Sequence, residues 1–184
     1  MDLSKIESGV ELILKGLNCD LADRNFLDTP NRVARFYAEM FTHKDNGWAT
    51  FPEEYSDFIL LRGHRMWSLC PHHLLPVRFD VSLAYIPSSH VLGLSKLARV
   101  LDEANTGPLL QEKFTKEVID HVYQICDGVK GCAVYVEGQH GCTLIRGIRS
   151  NAEFVTYRLS GVFRDAPELE ERFFQLCGTR RGGS

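Results

Sequence analysis

The amino-acid sequence predicts an α+β fold, and three observations predict it. Apolar residues recur every three or four positions over residues 3–17, 29–41, 91–104 and 109–126, the period of a helix with one buried face. Apolar and polar residues alternate through 74–87, and up to three further strand-like runs follow residue 131. The order is helices, strands, two helices, strands, helix, a grouping that marks α+β rather than a βαβ repeat.

Bulk properties narrow the class. A chain of 184 residues with 44% apolar and 24% charged residues suits one soluble domain with an ample core and a helical appendage. The net charge of −3 argues against a general nucleic-acid or membrane surface. No apolar run approaches the roughly 20 residues of a membrane span. The polar start M-D-L-S-K-I-E-S is unlike a secretory signal, so a cytoplasmic location is expected.

The first helix is predicted over 3–16, with Leu3, Ile6, Val10, Ile13, Leu14 and Leu17 on one face. The second begins at D-T-P-N-R-V, where Thr29 can cap and Pro30 suits the first helical position. Residues 42–54 read as a loop. Residues 1–50 are thus expected to form an N-terminal helical extension, and 51–184 one functional unit. A strand over 55–69 leads into a Cys-His loop, and Val77, Phe79, Val81, Leu83 and Tyr85 define the next strand, ended by Pro87. Helices follow at Val91–Ala104 and 109–126, and Gly128 and Gly131 break the pattern. The runs C-A-V-Y-V-E-G, T-L-I-R-G-I-R and E-F-V-T-Y-R-L-S-G-V-F give the later strands. A helix over 167–177 precedes a frayed R-R-G-G-S tail.

Six cysteines are present, and in a cytosolic chain they point to metal binding or burial before disulfides. Cys19, Cys126 and Cys177 read as half-buried helix or helix-end residues, and Cys132 points into the core. Cys70 differs. It stands in S-L-C-P-H-H-L-L-P with His72 and His73, and Cys142 stands in Q-H-G-C-T-L-I-R-G with His140. Thiolate and imidazole are the donors zinc prefers, and Cys-x-x-His can place two ligands on one ion. Cys70, His73 and Cys142 make three candidates, with no second Cys-x-x-Cys to close a cage, so an open site of catalytic type is expected. Zinc there would lower the pKa of its water toward about 7. His72 and His140 remain to accept and give protons near neutral pH.

Cations come next. Ser95, Lys96 and Arg99 lie in the first turns of a helix, where hydroxyl and cationic groups attract phosphate, and Arg146 follows Cys142 by four positions. Each alone reads as a solvated charge; together they suggest a polyphosphate-bearing substrate. Gln111 and Glu112 open the long helix. An amide beside a carboxylate could grip a base carrying N–H donors, such as guanine, although Glu112 also suits a helix N-terminus for its own sake.

At these residues the chain resembles the GTP cyclohydrolase I family, from about Leu27 to Phe163. The matching stretches are T-P-N-R-V, S-L-C-P-H-H-L-L-P, A-Y-I-P, V-L-G-L-S-K-L-A-R, Q-E-K-F-T, H-G-C-T-L-I-R-G-I-R and G-V-F-R, in that order. The resemblance implies a tunnelling fold, an antiparallel sheet with two helices on one face, preceded by N-terminal helices. It implies zinc on Cys70, His73 and Cys142, proton transfer by His72 and His140, and a guanine grip by Glu112 with Gln111 nearby. Ser95, Lys96, Arg99 and Arg146 would hold the triphosphate of GTP. The product would be 7,8-dihydroneopterin triphosphate with formate, feeding folate, tetrahydropterin or deazaguanine synthesis. A homodecamer with sites between subunits is likewise implied.

Some positions depart from the family pattern. Pro71 replaces an acidic residue of C-E-H-H, and Gly107, Pro108 and Leu109 stand where Arg-x-Gln is common. Tyr157 and Arg158 interrupt a Thr/Ser-rich strand, and Gly63-His64 takes the place of an upstream acidic residue. Two alternatives therefore stand beside the GTP reading: another purine nucleotide or a reaction stopping at a ring-opened formamide, and a zinc-stabilised oligomer that binds nucleotides without turnover.

Overall fold

A computed structural model describes residues 1–42, 47–55 and 57–178. The frayed tail and part of the loop expected over 42–54 lie outside the described residues. The chain divides into two compact units, Met1–Lys44 and Asp45–Ser184. Among the described residues no helix is long and apolar enough to cross a membrane.

The first unit is a pair of helices. α1 (Leu3–Gly16) starts at Asp2, whose carboxylate accepts the Lys5 N–H at 3.2 Å. α2 (Thr29–Phe41) carries Pro30 in its first turn and buries Ala34 completely. Thr29 does not cap it: Asp28 holds the cap position without a side-chain bond, and the Thr29 hydroxyl donates back to the Asn25 carbonyl at 3.3 Å.

The second unit is built on a four-stranded antiparallel sheet of β2 (Ile59–Leu69), β3 (Pro76–Ile86), β5 (Gly131–His140) and β6 (Phe154–Gly161), in that spatial order. Period-two patterning gives each strand two faces. One face, with Phe79, Val81, Leu83 and Val134, packs against α3 (Leu94–Ala104) and α4 (Gln111–Ile125). Phe79 and Phe114 stack there with centroids 5.1 Å apart, both fully buried. Truncating either to Ala would cost about 3–5 kcal/mol. The other face, with Ala84, Ala133 and Tyr135, is partly covered by the turn α6 (Val162–Asp165) and by α7 (Pro167–Cys177) through Phe163 and Phe173.

Three expectations need correction. β1 (Thr50–Pro52) lies within the expected loop and pairs with β4 (His90–Leu92), so the helix expected from Val91 begins only at Leu94. The run T-L-I-R-G-I-R is not a strand. β5 ends where His140 pairs Val77, one residue from the start of β3, so beyond it no ladder partner remains. The chain folds instead into the single turn α5 (Gly141–Leu144), with the Thr143 hydroxyl donating to the His140 carbonyl at 2.9 Å, and Ile145 and Ile148 point outward. Cys126 is buried rather than half-buried.

A bulge positions the next feature. Between Leu61 and His64 the β2–β3 register slips, so Arg62 and Gly63 share one place opposite Ser82. Gly63 sits at φ 63°, where a side chain is disfavoured, and its N–H donates to the Ser82 hydroxyl. Before the slip Ile59 and Leu61 face the α3–α4 core; after it Met66 and Cys70 do.

Candidate metal and catalytic site

The β2–β3 hairpin closes through its Cys-His loop. Cys70 N–H donates to the Leu75 carbonyl, and Leu74 N–H to the Cys70 carbonyl, each at 3.0 Å. Closure puts Leu74 at φ 53°, a left-handed conformation that a leucine adopts at some energetic cost. Cys70 is 4% exposed, while His72 and His73 stand at the exposed tip. Because His140 pairs Val77, α5 emerges beside this loop and brings Cys142 to it.

Donor atoms of Cys70, His73 and Cys142 all lie within 4.8 Å of one another. Cys70 Sγ and His73 Nδ1 are 3.7 Å apart. Tetrahedral zinc with usual Zn–S and Zn–N bonds holds such atoms about 3.6 Å apart, so these residues fit the ion. Burial, and then the neighbouring Cys70 thiol, push the Cys142 thiol above its ordinary pKa. A cation among them would reverse that preference and draw off the protons.

The cluster opens into a cleft of about 310 Å³ lined by Cys70, His72, Glu112, His140, Cys142 and Phe154, among others. The approach of α4 is fixed from β2: Asn105 Nδ2 donates to the Trp67 carbonyl, Ser68 Oγ to Asn105 Oδ1, and Leu109 N–H to the Leu69 carbonyl. Glu112 is exposed at the cleft. Burial lowers the pKa of His140, with Glu112 opposing, which favours its neutral imidazole.

Gln111 points inward. Its side chain is 4% exposed; Nε2 meets the Phe154 carbonyl at 2.8 Å, the Val136 carbonyl and Thr156 Oγ1 at 3.2 Å each, and Oε1 lies 2.8 Å from His140 Nε2. A methyl at Gly138 would lie 2.1 Å from that Oε1. Sequence reasoning had no place for Gly138, Thr156 or Asn105. A glycine inside a strand was the available signal for the first, since it marks close approach of a neighbour.

The remaining expected residues are placed as follows. Arg146 meets His73 Nε2 through its guanidinium. It lies past the α5 turn, not along a strand. Ser95, Lys96 and Arg99 do open α3, but none lines the cleft. Lys96 Nζ and Arg99 Nη1 both donate to the Gly47 carbonyl, at 3.0 and 2.7 Å. Pro71 and buried Leu109 line the cleft, whereas Tyr157 and Arg158 are exposed on β6.

Fold and cleft together define an α+β protein with a thiol–imidazole donor cluster at the mouth of a small-molecule pocket. The sequence profile described as GTP cyclohydrolase I matches residues 6–178. A GTP cyclohydrolase 1 of Clostridium perfringens (strain 13 / Type A) is 36% identical over 182 residues, 96% of this chain and 98% of the relative. One of Rhodopirellula baltica is 39% identical over 174 residues, covering 91% of this chain and 76% of the relative. One of a Sulfurihydrogenibium species is 33% identical over 184 residues, 98% of each chain. The chain belongs to the GTP cyclohydrolase I family.

Proposed function

We propose that this protein is a zinc-dependent GTP cyclohydrolase I, opening the guanine ring of GTP at C8 to give formate and 7,8-dihydroneopterin triphosphate. The carrying observation is the Cys70–His73–Cys142 cluster, two of whose members line one cleft with His72, His140 and Glu112, in a chain of this family. Cys70, His73 and Cys142 would hold a zinc ion, which would supply Lewis acidity toward water. Glu112 accepts the N–H groups of the guanine edge. His140, whose partial burial favours the neutral imidazole, takes and returns a proton at the ring, and His72 does so from the exposed side. Arg146 binds the triphosphate. Ser95, Lys96 and Arg99 complete that grip across subunits of a cytoplasmic homo-oligomer, a decamer in this reading.

Incubating the zinc-loaded protein with GTP should release formate and a compound that oxidises to a fluorescent pterin. No product at full zinc loading refutes the reading. His140→Ala should lower kcat by roughly 10²–10⁴; unchanged function in that variant would favour a purely binding protein. Pro71 and Leu109 on the cleft wall favour one second reading, a different purine nucleotide or a ring-opened formamide product. A nucleotide panel read by mass spectrometry separates the two, since full conversion with preference for GTP excludes it.

A further inference from the structure

The hydrogen bonds around Gln111 have only one consistent direction. Thr115 Oγ1 donates to the Gln111 backbone carbonyl at 2.7 Å, which uses its single proton. The 2.7 Å contact between Thr115 and Thr156 is therefore donated by Thr156. Thr156 Oγ1 is left to accept from Gln111 Nε2, alongside the Phe154 and Val136 carbonyls. Two backbone carbonyls cannot face an amide oxygen, so the Gln111 side chain has its NH₂ on that side and Oε1 toward His140. His140 Nε2 must then carry the hydrogen, which leaves its lone pair on Nδ1.

We infer that Gln111 is a positioning residue that holds His140 as its Nε2–H tautomer, with Nδ1 as the atom that exchanges a proton with substrate. This rests on the reading of His140 as a proton-transfer group and gives Gln111 a role other than binding the base. Gly138 belongs to the same device. Any side chain there would strike Gln111 Oε1, and the pinned amide has nowhere to retreat without losing bonds. The ring is held from its sides as well, edge-on to Phe79 and Phe154, with centroids 6.3 and 5.5 Å away. The hydrogen bond therefore needs to select only the tautomer.

The first test needs no variant and no turnover. In 15N-histidine-labelled, metal-loaded protein, with His140 assigned by its loss in His140→Ala, Nε2 should be the protonated nitrogen. An Nδ1–H tautomer overturns the inference and leaves the GTP reading untouched, whereas absent GTP turnover with an Nε2–H ring defeats only that reading. The second test is kinetic. Gln111→Met keeps the shape and removes the acceptor; kcat should fall about 10–100-fold, at or below the lower end of general acid–base effects, with KM changed less than about 3-fold. A rise in KM at constant kcat would make Gln111 a substrate ligand and overturn the proposal. Gly138→Ala should give the same kinetic split, and in combination with Gln111→Ala should cost no more than Gln111→Ala alone. Additive losses would count against a shared device.

Discussion

The cleft and the start of α3 both gather polar side chains, and they differ in what those side chains address. At the cleft, groups from the β2–β3 loop, α4, β5 and the segment after α5 bond to one another: Gln111 to His140, Cys70 to His73, His73 to Arg146. At α3, Lys96 and Arg99 converge on a single backbone carbonyl of the Gly47 loop in their own chain. Groups locked to each other across elements are placed by the fold itself. Cations resting on a nearby carbonyl are placed only provisionally, since a phosphate would offer them a stronger, charge-assisted partner. The difference separates a part of the site that one chain finishes from a part that awaits ligand or neighbour.

The strongest way to break this comparison is at the metal cluster. Cys142→Ala should weaken zinc binding by at least about 100-fold, more than the effect of removing an outer partner, with metal content measured by mass spectrometry. In the parent protein affinity should also fall as pH is lowered, because burial and the Cys70 thiol already favour protonated Cys142. Zinc retained in Cys142→Ala would remove this residue from the ligand set.

Glu112→Gln should raise KM for GTP about 10–100-fold, the worth of hydrogen bonds to a charged group, while zinc content stays constant. A loss confined to kcat would place Glu112 in proton transfer instead. A smaller effect is expected at α3. Lys96→Ala with Arg99→Ala should weaken GTP about 10-fold and guanosine not at all, with a reduced dependence on salt. Equal weakening of both ligands would mean that these cations only brace the Gly47 loop.

Elsewhere, Arg172 Nη1 donates to both carboxylate oxygens of Asp57, at 3.0 and 2.9 Å, tying α7 to the entry of β2. The Phe58 N–H, and then Arg172, hold the Asp57 carboxyl below its usual pKa. A folded-state pKa below the unfolded one gives stability present above the unfolded value and lost as pH falls through the folded one. Both side chains are well exposed, so Arg172→Ala should cost about 0.5 kcal/mol or less in urea melts at pH 7, and still less in acid. An unchanged zinc content in that variant would confirm that the cleft does not lean on α7.

What could be read from the sequence followed length and residue chemistry. β3 and α4 span enough residues for their period to speak, and the structure has both within a few residues of the expected bounds. β1 and β4 are three residues each and exist only through one another, forty positions apart, so no local pattern announces them. The run after Gly141 carries strand-forming residues, yet it lies past the start of its partner strand, and pairing overrode propensity. At the site, Cys70, His73 and Cys142 were legible because few other residues offer sulfur and imidazole donors. The Gln111–His140 bond was not, since it depends on which way an amide turns inside a packed core.

The slip at Gly63 makes chain length a chemical variable. Successive strand residues face opposite ways, so with one extra residue between Leu61 and His64, Cys70 reaches the α3–α4 side only because the bulge absorbs it. Deleting Gly63 alone would remove the bulge, pair Arg62 one to one with Ser82, and leave Cys70 facing as it does. Removing Arg62 as well would leave the strand one residue short and turn Cys70 toward the α7 side. A family member shortened by two in this stretch would retain all the signature letters and still bind no zinc, and metal content across the one- and two-residue deletions would show it.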